Sequence, residues 1–170
     1  MCSGNGTNFE NIVRTCSKHE VVLMIHNKKE CGAAKRAEKL GIAHCRISSK
    51  DEEQIVQLFK AWRVDLIVLA GWMKVISPQL INAFPDRIIN IHPSLLPKYK
   101  GLNAVQQALD SGDVVTGCTV HLVTEELDSG KIIMQEEVGI LPHDTLESLT
   151  KVIHRAEYRI LPLAIEEMAL

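Results

Sequence analysis

Apolar positions along the chain switch between two periods. Short runs rich in β-branched residues, Val21–His26, Ala43–Ile47, Asp65–Ala70 and Ile88–His92, read as strands. Between them, apolar residues recur every three or four positions, the spacing of one helix face. Phe9, Ile12, Val13 and Cys16 mark a first helix, and Gly32–Leu40 a second, with Ala33, Ala34 and Ala37 on its packing side and Gly41 as its C-cap. Ser49-Lys-Asp-Glu52 has the form of a capping box ahead of a third helix that turns Ile55, Val56, Leu58, Phe59 and Trp62 inward. Ser77 and Pro78 open a short helix reaching Ala83. After Ile88–His92 come a helix over Leu102–Leu109, a turn at Ser111–Asp113, and two strands, Gly117–Val123 and Lys131–Ile140, joined by Thr124–Gly130. A second capping box, Asp144–Glu147, makes Asp144 a cap and starts a helix with Leu146, Leu149, Val152, Ile153, Ala156 and Ile160 on one stripe, which Pro162 is expected to break or kink.

Strands alternating with helices predict an α/β fold with a doubly wound, mostly parallel sheet, in a single domain over 1–170. The continuous apolar run Asp65–Ala70 suits a strand buried on both faces of such a sheet. One element is missing from the pattern. Ser3-Gly-Asn-Gly-Thr-Asn8 is a glycine-rich turn opening a helix, and a turn of that kind follows a strand, yet only Met1 and Cys2 precede it. The first strand is therefore expected to be missing or truncated.

Charge narrows the function classes. Lys and Arg number 19 against 21 Asp and Glu, a net charge of -2 with the signs interspersed, which leaves no broad basic face for nucleic acid or anionic lipid. The longest apolar run, Leu66–Met73, is too short to span a bilayer, and the N-terminus lacks a basic segment followed by an apolar one, so a cytoplasmic protein is expected. Five widely spaced cysteines argue against a disulfide framework or a thiolate metal site; Cys16, Cys45 and Cys118 read as small core residues. The seven histidines lack metal-ligand spacing, and His19, His26, His44 and His154 read as surface or structural groups.

The chemistry concentrates at the end of one strand. The period of two places Asn90 and His92 on the same face, and Pro93 stops the strand there. In open α/β sheets ligands bind at the carboxyl ends of strands. On spacing alone the pair fits two descriptions: hydrogen-bonded structural groups closing a strand, or an oxyanion donor with a general base. The turn at Gly6, Thr7 and Asn8 is open in the same way between a plain N-cap and a phosphate cradle on a helix N-terminus. His121, within a strand, either faces the site or fills a polar core position, and the core position is the expectation.

Asn90-Ile-His92-Pro-Ser-Leu-Leu-Pro-Lys-Tyr-Lys-Gly101 resembles the signature of the folate-dependent formyltransferases, and its His-Pro-Ser form resembles the branch acting on glycinamide ribonucleotide. The likeness runs from about Cys2 to Pro162. It implies formyl transfer from 10-formyltetrahydrofolate to the amino group of glycinamide ribonucleotide, with no metal and with small molecules as partners, by a monomer or weak homodimer. It further implies that Asn90, His92 and Asp128 are catalytic, the aspartate lying near the histidine on a loop that covers the folate site. Gly6, Thr7 and Asn8 would hold the ribonucleotide phosphate and Glu157 its ribose. Met73, Lys74, Val75, Ile76, Asn90, Thr124, Glu125 and Asp128 would border the folate. Readings from the same resemblance are a formyltransferase for methionyl-tRNA or an amino sugar, which Pro93 and the Ser3–Asn8 turn disfavour, and a formyl-folate hydrolase. A nucleotide-binding module without catalysis is the reading from another class.

Overall fold

In the computed structural model, which describes residues 1–170, the elements in chain order are α1 (Thr7–Thr15), β1 (Met24–His26), α2 (Gly32–Leu40), β2 (His44–Arg46), α3 (Glu52–Ala61), β3 (Ile67–Leu69), α4 (Pro78–Ala83), β4 (Ile88–His92), α5 (Ala104–Ser111), β5 (Val115–Leu122), β6 (Ile132–Gly139) and α6 (Leu146–Glu167). β1 pairs with β2 and β3 with β4, both in parallel; β5 runs antiparallel to β4, and β6 antiparallel to β5. Met1–Ser3 join the two ladders. Cys2 donates its N–H to Ile25 O at 2.9 Å and bridges His26 in parallel, Ala70 donates to Met1 O at 3.0 Å, and Ser3 donates to Gly71 O at 2.9 Å. These three residues hold the place of the strand that the glycine turn requires. The order across the layer is thus β2, β1, Met1–Ser3, β3, β4, β5, β6, with only β5 reversed.

The short central segment explains two boundary differences. The expected strands Val21–His26 and Asp65–Ala70 are reduced to Met24–His26 and Ile67–Leu69 because Met1–Ser3 offer partners to their last residues only. Below that point Val21, Val22 and Leu23 face Leu66 and Val68 across an apolar cleft of about 400 Å³.

Helices cover both faces. Ile89 turns to the face packed by α1, α5 and α6, among Ile12, Val105, Val120, Leu149 and Ile153, whereas Ile88 turns to the face of α3 and α4, among Ile55, Phe59, Leu80 and Phe84. Removing each such side chain from water stabilises the fold by about 1.5–3 kcal/mol. The alternation carries through to Asn90 and His92, which leave the strand on the side of Ile88.

Four helix details depart from the sequence pattern. Trp62 is the C-cap of α3 and 43% exposed, because the helix ends before it reaches the inward stripe. The first capping box does not form: Asp51 is the N-cap, accepting from Gln54 N at 3.2 Å, while Glu52 turns to accept from Ser77 N at 3.1 Å and from the Ser77 hydroxyl. The second box is shifted by one residue, with Thr145 and Ser148 exchanging bonds, Asp144 accepting from Leu141 N at 2.8 Å, and Leu146 and Val152 left exposed. Finally, α6 runs through Pro162 to Glu167. The proline removes the N–H that would bond the Tyr158 carbonyl, but Asn11 Nδ2 donates to that oxygen at 2.7 Å, so the turn loses no partner.

Candidate active site

β4 ends at the site, and its neighbours determine what surrounds it. Register places Asn90 between Leu69 of β3 and His121 of β5, and His92 opposite Thr119. Thr119 and Gln135 then shape the loop that follows. The Thr119 hydroxyl donates to Ser94 O at 2.7 Å and accepts from Leu96 N at 3.1 Å, while Gln135 Nε2 donates to Leu96 O at 3.0 Å. Held this way, the loop folds back until Tyr99 O lies 2.8 Å from His92 Nε2. A carbonyl only accepts, so Nε2 carries a hydrogen, and Nδ1 is the nitrogen left for chemistry.

Nδ1 faces Asp128. The carboxylate arrives from the Thr124–Gly130 loop, with Oδ2 3.5 Å from His92 Nδ1 and Oδ1 3.7 Å from His121 Nε2. Gly101 N–H donates to Oδ2 at 2.8 Å and Lys100 Nζ donates to Ser129 Oγ at 2.7 Å, so the two loops are latched at adjacent points. His92 and Asp128 are both buried. Tyr99 at φ 56° and Asp128 at φ 50° both adopt left-handed backbone, each costing on the order of 1–3 kcal/mol that the surrounding bonds must offset.

These groups form one wall of a cavity of about 500 Å³. Met73, Lys74, Val75, Ile76, Asn90, His92, Thr124, Glu125 and Asp128 all line it, joined by Leu69, Trp72, Gly101, Leu102, His121, Val123 and Leu127. Its shape is a polar end against largely apolar sides. The added apolar residues carried little signal in the sequence, since a Trp or Leu beside a strand end is as often simple packing. His121 answers to both of its descriptions: it is 2% exposed and it lines the cavity. Although His92, His121 and Asp128 meet here, no group of three or more His, Cys, Asp or Glu side chains has an arrangement that could hold a metal ion.

Gly6, Thr7, Asn8 and Glu157 form a second group outside that lining. Ser3 ties the two regions together, accepting at its hydroxyl from Met73 N at 2.9 Å. Gly6 is the N-cap of α1 at φ 77°, with no side-chain cap, so the first N–H groups of the helix have no internal partner. A Cβ there would lie 2.5 Å from Ala33 Cα, which brings the starts of α1 and α2 together. Asn8 Nδ2 donates to Glu157 Oε2 at 3.0 Å, while Asn8 Oδ1 is buried with no partner. Burial pushes the Glu157 carboxyl above its usual range, against the opposing effects of His154 and the Asn8 bond. The result is a pair of buried acceptors, suited to hydroxyl donors. Burial, with Glu157 and Glu136 nearby, also pushes the Cys118 thiol up to about 12, which makes it a packing group rather than a nucleophile.

A sequence profile of the formyl transferase family matches residues 1–165. A phosphoribosylglycinamide formyltransferase of Haemophilus influenzae is 38% identical over 98% of this chain and 84% of its own length. A trifunctional purine biosynthetic protein of Drosophila melanogaster is 42% identical over 97% of this chain, which spans only 13% of that protein. The crystal structure of a phosphoribosylglycinamide formyltransferase from Bacillus halodurans superposes with a TM-score of 0.93 at 39% identity, covering 98% of this chain and 91% of the other.

Proposed function

The chain belongs to the formyl transferase family, and from that premise we propose that it transfers a formyl group from 10-formyltetrahydrofolate to the primary amine of glycinamide ribonucleotide. One observation carries the reading: Asn90, His92 and Asp128 gather at the polar end of a single cavity with apolar sides. Such a cavity suits a flat conjugated ring whose reactive nitrogen lies at the polar end, and Trp72, Val75, Ile76 and Leu127 supply the apolar walls.

The residues account for each charge the reaction develops. Attack of the amine on the formyl carbon forms a C–N bond and puts negative charge on the formyl oxygen. Asn90 Nδ2 supplies a neutral N–H toward that oxygen, and His92 a second from Nδ1; each such donor is worth about 3 kcal/mol. Asp128, with Oδ2 on the Nδ1 side of the His92 ring, accepts, directly or through water, the proton that the amine loses. Collapse breaks the bond from the formyl carbon to N10, and the proton taken from the amine by Asp128 or the intervening water passes to N10 as it leaves. Atoms and charge balance without any further reactant.

At the second group, the free N–H donors of α1 suit a phosphate, and Asn8 Oδ1 with Glu157 suits ribose hydroxyls. The deciding experiment supplies 10-formyltetrahydrofolate with glycinamide ribonucleotide, with methionyl-tRNA, with an amino sugar nucleotide, or with no amine, and follows tetrahydrofolate release. Release dependent on glycinamide ribonucleotide supports the proposal. Release with another amine, or with none, replaces it.

A further inference from the structure

We infer that His121 is a positioning residue: its ring, held in one tautomer by the Leu122 carbonyl, sets the orientation of the Asn90 carboxamide and so decides whether an N–H or an oxygen faces the reacting carbonyl. This rests on the formyl-transfer reading given above.

His121 Nδ1 lies 3.0 Å from Leu122 O. Because a carbonyl cannot donate, the hydrogen belongs to Nδ1, and in the neutral ring Nε2 is a bare acceptor. Asn90 Nδ2 sits 3.2 Å from that Nε2. The amide must therefore turn its NH2 toward the ring and its oxygen away. One N–H is spent on His121, and the other is left for a cavity ligand. If the ring gained a second proton, two donors would face each other, and the amide would have to turn over to present its oxygen.

The backbone serves the same arrangement. Asn90 and His121 are direct cross-strand partners, and the β5–β6 ladder slips its register between Val120 and His121. Irregularities of this kind re-aim a side chain beside a site. The groups facing the ring are Asn90, Asp128, His92 and the Leu122 carbonyl. Burial lowers the ring's proton affinity and His92 adds to that, while Asp128 and the Leu122 carbonyl oppose it; burial prevails.

The test compares Asn90→Ala, His121→Phe, the double variant and His121→Gln in formyl transfer, with thermal melting of each as a folding check. We expect His121→Phe to lower kcat by about a hundredfold, close to the loss in Asn90→Ala, with KM for both substrates little changed. The double variant should be no slower than Asn90→Ala alone, because the amide that His121 orients is already gone. His121→Gln, whose amide oxygen can accept from Asn90, should recover at least tenfold over the Phe variant. Losses that multiply in the double variant, or an unimpaired Phe variant, would overturn the inference. Should the Phe variant fail to fold, nitrogen and carbon NMR shifts of His121 in the unaltered protein decide the matter. A hydrogen on Nδ1 and none on Nε2 at neutral pH is the predicted tautomer, and the reverse sinks the proposal. That spectrum needs no substrate, so it stands apart from an unaltered protein that releases no tetrahydrofolate, a result that would instead remove the formyl-transfer reading.

Discussion

Gly101 donates its backbone N–H to Asp128 Oδ2 at 2.8 Å, which fixes one loop's carboxylate by another loop's main chain. The bond orients Asp128 toward His92 without using a side chain from the strand that carries the histidine. Because the donor is an amide, its contribution depends on the conformation of residue 101, and that residue sits at φ 79°.

Gly101→Ala therefore tests the latch. The added Cβ would meet nothing closer than Leu127 Cδ2 at 3.9 Å, so the change strains only the backbone, by about 1–2 kcal/mol. We expect a lower melting temperature and a reduced kcat with little change in the KM for either substrate. Gly6→Ala should be worse for a different reason. There the Cβ meets Ala33 backbone at 2.5 Å as well as an unfavourable φ of 77°, and calorimetry should show a larger loss of stability together with a raised KM for the ribonucleotide.

Asn11 and Pro162 should behave as a coupled pair. Asn11→Ala leaves the Tyr158 carbonyl without its donor, at a cost of about 1–3 kcal/mol in denaturant unfolding. In a Pro162→Ala background the restored helical N–H can reach Tyr158 O, and the same Asn11 change should then cost much less. Equal costs in the two backgrounds would mean that Asn11 acts through some other contact.

Glu157 makes a prediction about pH. Its carboxyl is raised in the folded protein, so the folded state holds a proton that the unfolded chain has already released between the ordinary carboxylate range and the raised value. Stability then falls as pH rises through that window. Glu157→Gln keeps the bond to Asn8 but cannot ionise. Its melting temperature should exceed that of the unaltered protein at pH 8 and converge with it near pH 4, while its KM for the ribonucleotide rises. A parallel offset at every pH would contradict the assignment.

Much of this was legible in the order of residues, and the exceptions have physical causes. Ile88–His92 forms a strand with the predicted bounds because a β-branched run closed by a proline leaves few alternatives. Gly41 likewise ends α2 in the left-handed conformation expected of it. Pro162 misled because its effect depends on whether the orphaned carbonyl finds a donor, and that donor is in α1, far away in sequence. Strands β1 and β3 are short because the segment between them, Met1–Ser3, reaches only their last residues. At the site, the shared face of Asn90 and His92 follows from a period of two, but no local pattern brings Asp128 or His121 to them. Only family resemblance points to Asp128, and the bond from Asn90 to His121 depends on strand register, which single-sequence periodicity does not contain.

Asp128, beside His92 Nδ1, acts in the transfer step itself rather than by holding substrate. Steady-state kinetics of Asp128→Asn with 10-formyltetrahydrofolate and glycinamide ribonucleotide test it most directly. We predict kcat lowered by about a hundredfold or more, with both KM values within a few-fold of the unaltered protein. Unchanged kcat, or a loss confined to KM, would contradict it.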